Sequence, residues 1–269
     1  MDVILRRTAS EATELCARLI ESSIRMKPSI ALGLATGRTM EPLYARLAQA
    51  HARRGLDFSS CTLFALDEYI GLGCSDALSY RRYLDRNLLG LVNANPQKVH
   101  TLDGQAEDPR LEALSYEATI AQAGGIDLQL LGLGENGHIA FNEPGSSLAS
   151  RTREVTLATE TLEQNADAFG GDPTMVPERA ITVGIGTILE SKRALMLVTG
   201  ESKRQALSLA IEGPIASMVP ASALQLHPDC VIIADEKAGE LLRRRKQYRS
   251  AFERDPTWAP FRGATEGSS

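Results

Sequence analysis

The run Leu130 to Ser147, LLGLGENGHIAFNEPGSS, sets Gly132, Gly134 and Gly137 in G-x-G-x-x-G spacing behind an apolar stretch, with His138 directly after and Glu143 five residues further on. That glycine spacing belongs to loops that cradle a dinucleotide pyrophosphate, whereas an imidazole and a carboxylate leaving one turn are the parts of an acid–base pair. The dinucleotide reading needs a helix opening at the third glycine and an acid about 20 residues later. After Gly137 the chain reads HIAFNEPG, with a proline seven residues on and no helical stripe. A Gly-Lys-Ser/Thr triplet, which a nucleotide P-loop needs, is absent from the sequence. The glycines instead let the backbone turn sharply and approach a ligand while His138 and Glu143 leave the turn, so a catalytic loop is the expectation.

Three further segments carry usable chemistry. Thr36-Gly37-Arg38-Thr39 combines hydroxyls, backbone N–H groups at a helix start and one guanidinium, which together suit a phosphate. Ser202 and Lys203 open another helix and add a cation. Asp67 follows an apolar strand directly, where a partly desolvated carboxylate can serve as a general base. Each has a plainer alternative: a loop-bonded structural histidine, a solvated lysine, a turn acid. Nothing gathers enough ligands for a metal. The residues alone point to metal-free proton chemistry on a phosphorylated small molecule.

The elements that must position these groups are legible as apolar runs alternating with amphipathic stretches. Thr8-Ala-Ser-Glu11 has capping-box spacing ahead of a helix through Leu15, Leu19 and Ile20. Ser29-IALGLA leads into Thr36-GRT and a helix through Leu43 and Leu47; Cys61-TLFAL ends at Asp67-Glu68; Ile126-DLQLLGL ends in the glycine loop; Arg193-ALMLV leads to Thr199-GESK and RQALSLAIEG; Cys230-VIIA ends at Asp235-Glu236. Continuous apolar strands between helices predict an α/β fold: an open, mainly parallel sheet with helices on both faces. Ligands of such sheets sit outside the carboxyl ends of the strands, which is where the candidate residues fall. We expect one domain over residues 1–254, a lid segment within about 150–182 where periodicity is weak, and a loosely held tail over 255–269, DPTWAPFRGATEGSS.

The chain has 269 residues, 43% hydrophobic and 23% charged, with a net charge of −5. That balance is ordinary for a globular protein and argues against nucleic acid as a partner. No apolar run approaches ~18 residues and no signal-peptide core is present, so a cytoplasmic enzyme away from membranes is expected. Cys16, Cys61, Cys74 and Cys230 are scattered and are expected to be inert packing residues.

The segments LDEYIGL (66–72), SYRRYLDRNL (79–88), GLGENGHIAFNEPGSSLASRTR (132–153), AITVGIGT (180–187) and LQLHP (224–228) resemble the glucosamine-6-phosphate deaminases, from about Ile4 to Leu242. The sister 6-phosphogluconolactonases have a serine-leucine-phenylalanine-proline run where this chain reads Phe141-Asn-Glu-Pro144. The resemblance implies a modified Rossmann-type sheet, a homo-oligomer, no cofactor, and conversion of an amino-sugar phosphate to fructose 6-phosphate and ammonia. A related isomerase or lactonase acting on another sugar phosphate, and a catalytically weak sugar-phosphate sensor, are the alternatives, with galactosamine 6-phosphate kept open as substrate. It further implies Asp67 as the base between C2 and C1, His138 in ring opening with Glu143 supporting it, and Thr36, Gly37, Thr39 and Lys203 on the phosphate.

Four positions depart from the family pattern. Asn136 stands in the carboxylate relay where many members have aspartate; Arg38 replaces the second glycine of threonine-glycine-glycine; Asp167 replaces a lid arginine that reaches the phosphate; Val155 stands where allosterically activated members have a lysine two residues after Arg153. We expect Arg38 to take over the lid arginine's work, with Asp167 turned away or paired to a cation.

Overall fold

The short apolar runs become strands because most of their residues are buried, a pattern that a sheet covered on both faces satisfies. In the computed structural model, which describes residues 1–262, the elements are β1 (Asp2–Arg6), α1 (Ala9–Met26), β2 (Ala31–Leu34), α2 (Glu41–Arg54), β3 (Thr62–Ala65), β4 (Asp67–Tyr69), α3 (Tyr80–Asn87), β5 (Val99–His100), α4 (Pro109–Gln122), β6 (Leu128–Leu131), β7 (Arg153–Thr156), α5 (Thr159–Asn165), β8 (Arg179–Thr182), α6 (Ile185–Leu189), β9 (Arg193–Val198), α7 (Arg204–Glu212), β10 (Cys230–Asp235) and α8 (Arg245–Arg254). Every residue of β2, β6 and β10 is buried.

Seven strands form one sheet in the order β1-β10-β9-β6-β2-β3-β5, all parallel. The chain runs outward from β2 to β3 and β5, then returns to place β6 on the other side of β2. The carboxyl ends of β2, β6 and β9 therefore open side by side at the point where strand order reverses, the usual ligand crevice of such sheets.

α1 begins as its capping signal requires: the Thr8 hydroxyl accepts from Glu11 N at 3.1 Å. Glu11 reaches one residue further back than a capping box prescribes, taking Arg7 N at 3.2 Å.

A second, antiparallel sheet, β4-β8-β7, has no counterpart in the sequence reading. Asp67 is not simply the end of the third apolar run; it begins β4, which leaves the large sheet and pairs with β8 in the register Asp67↔Thr182. The segment read as a lid is thus anchored at both ends by β7 and β8. Between them, α5 and two short turns pack on a separate apolar cluster of Tyr69, Phe141, Leu157, Ala166, Phe169, Val176 and Ala180.

Two expectations are corrected. The tail is not loose from Asp255: Pro256–Phe261 form a 3-10 turn, and Trp258 is buried against the Phe252 ring with centroids 6.0 Å apart. One indole supplies enough apolar surface to dock that stretch; residues 263–269 lie outside the described residues. Cys16, Cys61 and Cys230 are buried as expected, but Cys74 is exposed and fills no core space.

Candidate active site

The loop after β6 explains its own glycines. A Cβ built on Gly134 would lie 2.3 Å from His138 Cε1, so glycine there leaves the volume that the imidazole ring occupies. Gly134 N also donates to His138 O at 2.9 Å, and Gly137 turns the chain with φ +91°. No helix opens at Gly137. The G-x-G-x-x-G spacing therefore makes room for a side chain rather than for a pyrophosphate. Ala140 is the one non-glycine with positive φ among the described residues, at +50°, so the backbone between His138 and Glu143 is held in a conformation L residues seldom adopt.

His138 Nδ1 lies 3.6 Å from Glu143 Oε2 and 3.5 Å from Thr161 Oγ1. Burial alone would raise the Glu143 pKa, but hydrogen bonds and charge from His138, with further hydrogen bonds from Thr161 and Asn136, outweigh it and hold this carboxyl down at about 2. The side-chain hydrogen bonds of Asn136 go to Glu143 and to the His138 backbone rather than to the imidazole ring. Asn136 Nδ2 donates to Glu143 Oε2 at 2.8 Å while its Oδ1 accepts from His138 N at 3.1 Å, so the amide braces the acid and the turn together.

Asp67 is 6% exposed, and its Oδ1 is buried with no partner. Burial, then the neighbouring Glu68 carboxylate, push its pKa up to about 8. Thr182, its register partner, accepts from Phe141 N through Oγ1 at 3.0 Å, which ties the histidine loop to the strand that carries Asp67. Glu68 is buried too. It accepts from Tyr69 N, Tyr80 N and Arg81 N at 3.0–3.1 Å and so anchors the first turn of α3 to β4. Burial outweighs these bonds and raises Glu68 to about 7.

Thr36 through Thr39 form the turn between β2 and α2. Gly37 has φ +105°, Met40 N donates to Gly37 O at 2.9 Å, and the Tyr83 hydroxyl donates to the same oxygen at 2.8 Å. Lys203 lies in the short 3-10 turn before α7, partly buried, with Nζ 3.7 Å from Glu135 Oε1 beside the histidine loop. Burial lowers its pKa, the Glu135 carboxylate opposes that, and Arg38 adds to the lowering, which puts the two cations in electrostatic reach of each other. Arg38 Nη1 pairs with Asp167 Oδ2 at 2.9 Å. Arg38 and Thr39 also border a cleft of about 380 Å³ beside α1, but Asp67, His138 and Glu143 do not line it, so we place the chemistry at the strand ends rather than there.

The structure thus brings Asp67, Asn136, His138 and Glu143 into one tied unit, with Lys203 beside it. Five participants carry no mark in the sequence that singles them out: Glu68, Tyr69, Tyr80, Thr161 and Thr182. The first three stand inside LDEYIGL and SYRRYLDRNL, but only the second sheet reveals what they touch. Arg153, half-buried, donates to Asn142 Oδ1 at 2.8 Å and Ser146 Oγ at 3.1 Å, and Val155 packs against the lid cluster. Among the described residues no helix is long and apolar enough to cross a membrane, and no three His, Cys, Asp or Glu side chains are grouped to hold a metal.

Comparison with known proteins shows what the chain resembles. The chain is 46% identical to the glucosamine-6-phosphate deaminase of Shewanella loihica, over 93% of this chain and 92% of that one. A solved structure described as a monomeric glucosamine-6-phosphate deaminase superposes with a TM-score of 0.87 at 41% identity, covering 90% of this chain and all of that one. Family membership therefore does not by itself set the number of subunits. The 6-phosphogluconolactonase of Trypanosoma cruzi, 21% identical over 90% of this chain and 97% of that one with a TM-score of 0.71, shares the fold. The profile of the family described as glucosamine-6-phosphate isomerases/6-phosphogluconolactonase matches residues 5–232, and the chain belongs to that family.

Proposed function

We propose that this protein converts glucosamine 6-phosphate and water to fructose 6-phosphate and ammonia. The observation that carries the reading is the pairing, at one strand-end crevice, of a histidine held by an ionised carboxylate with a buried aspartate of high proton affinity. Relatives at 41–47% identity carry the name of this activity.

In this reading Thr36, Gly37, Thr39 and Lys203 hold the phosphate, with Arg38 at its rim. A carboxylate on Nδ1 favours the imidazole tautomer protonated there and leaves Nε2 as acceptor. Nε2 takes the proton of the anomeric hydroxyl and delivers it to the ring oxygen as the C1–O5 bond breaks, giving the open-chain aldehyde. Asp67 then takes the C2 proton; the electron pair shifts to the carbonyl, whose oxygen receives a proton from the substrate's ammonium group, and an enolamine results. Asp67 returns its proton to C1, leaving an iminium at C2. Water adds there and ammonium leaves.

A pKa near 8 leaves free Asp67 mostly protonated at neutral pH. The substrate's own ammonium supplies the opposite charge that lowers it on binding, so the base is armed by the molecule it acts on. Ammonia release across a panel of amino-sugar phosphates, the galacto epimer included, with lactone hydrolysis run alongside, tests the reading. Release from glucosamine 6-phosphate supports it; lactone hydrolysis alone, or no turnover of any amino sugar, overturns it. The homo-oligomer and the cytoplasmic setting expected from the sequence stay part of this reading. Sedimentation velocity and fractionation check them, and a single species of monomer mass removes the first.

A further inference from the structure

Thr161 and Asn165 stand four residues apart on α5, so both side chains leave the same face of that helix. That face is turned into the site. Thr161 is 1% exposed; its hydroxyl lies 3.5 Å from His138 Nδ1 and helps to lower the Glu143 pKa. Just ahead of α5, Ala158 N donates to the other Glu143 oxygen at 3.4 Å. Asn165 Nδ2 donates to the Tyr69 hydroxyl at 2.9 Å. Tyr69 is two residues from Asp67 on β4 and shares its face of the strand. Its ring is wedged between Tyr80, Phe141 and Phe169, with centroids 5.0–5.5 Å away, and the Tyr80 hydroxyl donates to the Tyr69 hydroxyl at 3.2 Å.

One short helix therefore grips both halves of the site. The first grip falls on the histidine–carboxylate pair and the second on the strand of the buried base. We propose that Thr161 and Asn165 are positioning residues, and that the docking of α5 is what sets the His138–Glu143 pair and Asp67 in fixed relation to each other. The inference rests on the deaminase reading, because it assigns the two grips to ring opening and to proton transfer respectively.

The physical basis is that neither contact to His138 Nδ1 is short. At 3.5 and 3.6 Å the ring is held by two partial restraints rather than one firm bond, so loss of either leaves it free to tilt. By analogy with partners that orient metal-ligating histidines, whose loss typically costs ~10- to 100-fold, the effect here is expected to be of that order.

The test compares Thr161→Val, which keeps shape and removes the hydroxyl, with Thr161→Ser, which keeps the hydroxyl and removes the methyl; Asn165→Leu is made alongside. Thr161→Val should lower kcat about 10-fold or more on the pyranose, with KM within about 2-fold and much less loss on an open-chain amino-aldehyde phosphate. Thr161→Ser should restore most of the rate. Asn165→Leu should lose comparably on both substrates. The imidazole 15N resonances of His138, assigned by their loss in His138→Gln, read the same contact without turnover: they should move in Thr161→Val and return in Thr161→Ser. Unchanged kcat and unmoved resonances in Thr161→Val, or a Ser variant no better than Val, overturn the inference while the wild type still releases ammonia. A wild type that releases none overturns the functional reading itself, a result readily told apart from the first.

Discussion

The guanidinium of Arg38, in the turn after β2, is bound to the carboxylate of Asp167, in the turn after α5, with Nη1 2.9 Å from Oδ2. The loop read as a phosphate nest and the segment read as a lid are thus joined by an ion pair between two of the four residues that depart from the pattern of the family it resembles. A carboxylate on that guanidinium occupies the position an anionic substrate would seek.

The first prediction concerns competition for Arg38. Both side chains are 77% exposed, so water and salt screen the pair, and such pairs contribute no more than about 1 kcal/mol. Asp167→Asn should therefore lower KM by roughly 2- to 5-fold at low ionic strength, and the gain should fade as salt is added. Arg38→Gly should raise KM by about 10-fold with kcat nearly unchanged, because the contact is the same in ground and transition states. Steady-state kinetics at two salt concentrations decide it. Unchanged KM in both variants removes Arg38 from phosphate binding.

The second concerns Asp67. Its folded pKa, about 8, lies above its unfolded value, so the native state holds the proton more tightly. Stability therefore falls as pH rises from about 4 to about 8, and above 8 the protein carries the full cost of a buried charge. Asp67→Asn should remove that cost and raise Tm at pH 8.5 more than at pH 5, while lowering kcat at least ~100-fold. In the active protein kcat/KM should climb with pH through about 8. Calorimetry at the two pH values and a pH–rate profile test both halves; a Tm gain equal at both pH values would show that Asp67 is not the group under strain.

Asn136 supplies a third, with the opposite sign. Glu143 is held at about 2, below its unfolded value, so its contribution to stability is present above pH ~4.5 and lost as pH falls toward 2. Asn136→Asp replaces a donated hydrogen bond by a second negative charge. We expect Tm at pH 7 to fall by about 3–10 °C, from the usual value of a bond to a charged group, and the deficit to shrink as pH approaches 4. A deficit independent of pH would mean that the charge on Glu143 is not what the amide stabilises.

Gly134→Ala is the fourth. The atoms nearest the new methyl are all in the imidazole ring, which swings aside more cheaply than backbone does. The variant should keep its fold, with little change in Tm, yet lose about 10-fold or more in kcat on the pyranose, as removal of an acid–base group does. Near-normal turnover would show that the ring can act from another position.

Five strands of the large sheet, β2, β3, β6, β9 and β10, were legible because continuous apolar runs read out parallel strands directly; Asp67 follows one such run, and His138 and Glu143 leave the glycine loop that ends another. The small sheet was not legible. β4 is three residues long and abuts β3, and β7 has half-exposed residues with no alternation to find. Pairing across more than 80 residues of chain, as from β4 to β8, leaves no local signal. Thr161 and Thr182 escaped for a like reason: nothing marks a threonine as a partner of His138 until α5 is docked, or of Phe141 N until β8 is paired. Trp258 does carry a local signal, since a single indole amid Pro and Gly outweighs the polar character of its neighbours.

The lid's apolar side chains, Leu157, Ala166, Phe169 and Val176, join Tyr69 and Phe141 in a cluster apart from the core beneath the seven-stranded sheet. Two such clusters are two units of cooperativity. We expect the smaller to come apart while the larger stays whole, at a free energy below that of global unfolding. Backbone amides of residues 157–178 should then exchange with solvent deuterium well ahead of those in β6, β9 and β10. The same local opening would meter the departure of product, so the ceiling on turnover would be set by how firmly a few aromatic rings hold together, away from any bond that is made or broken.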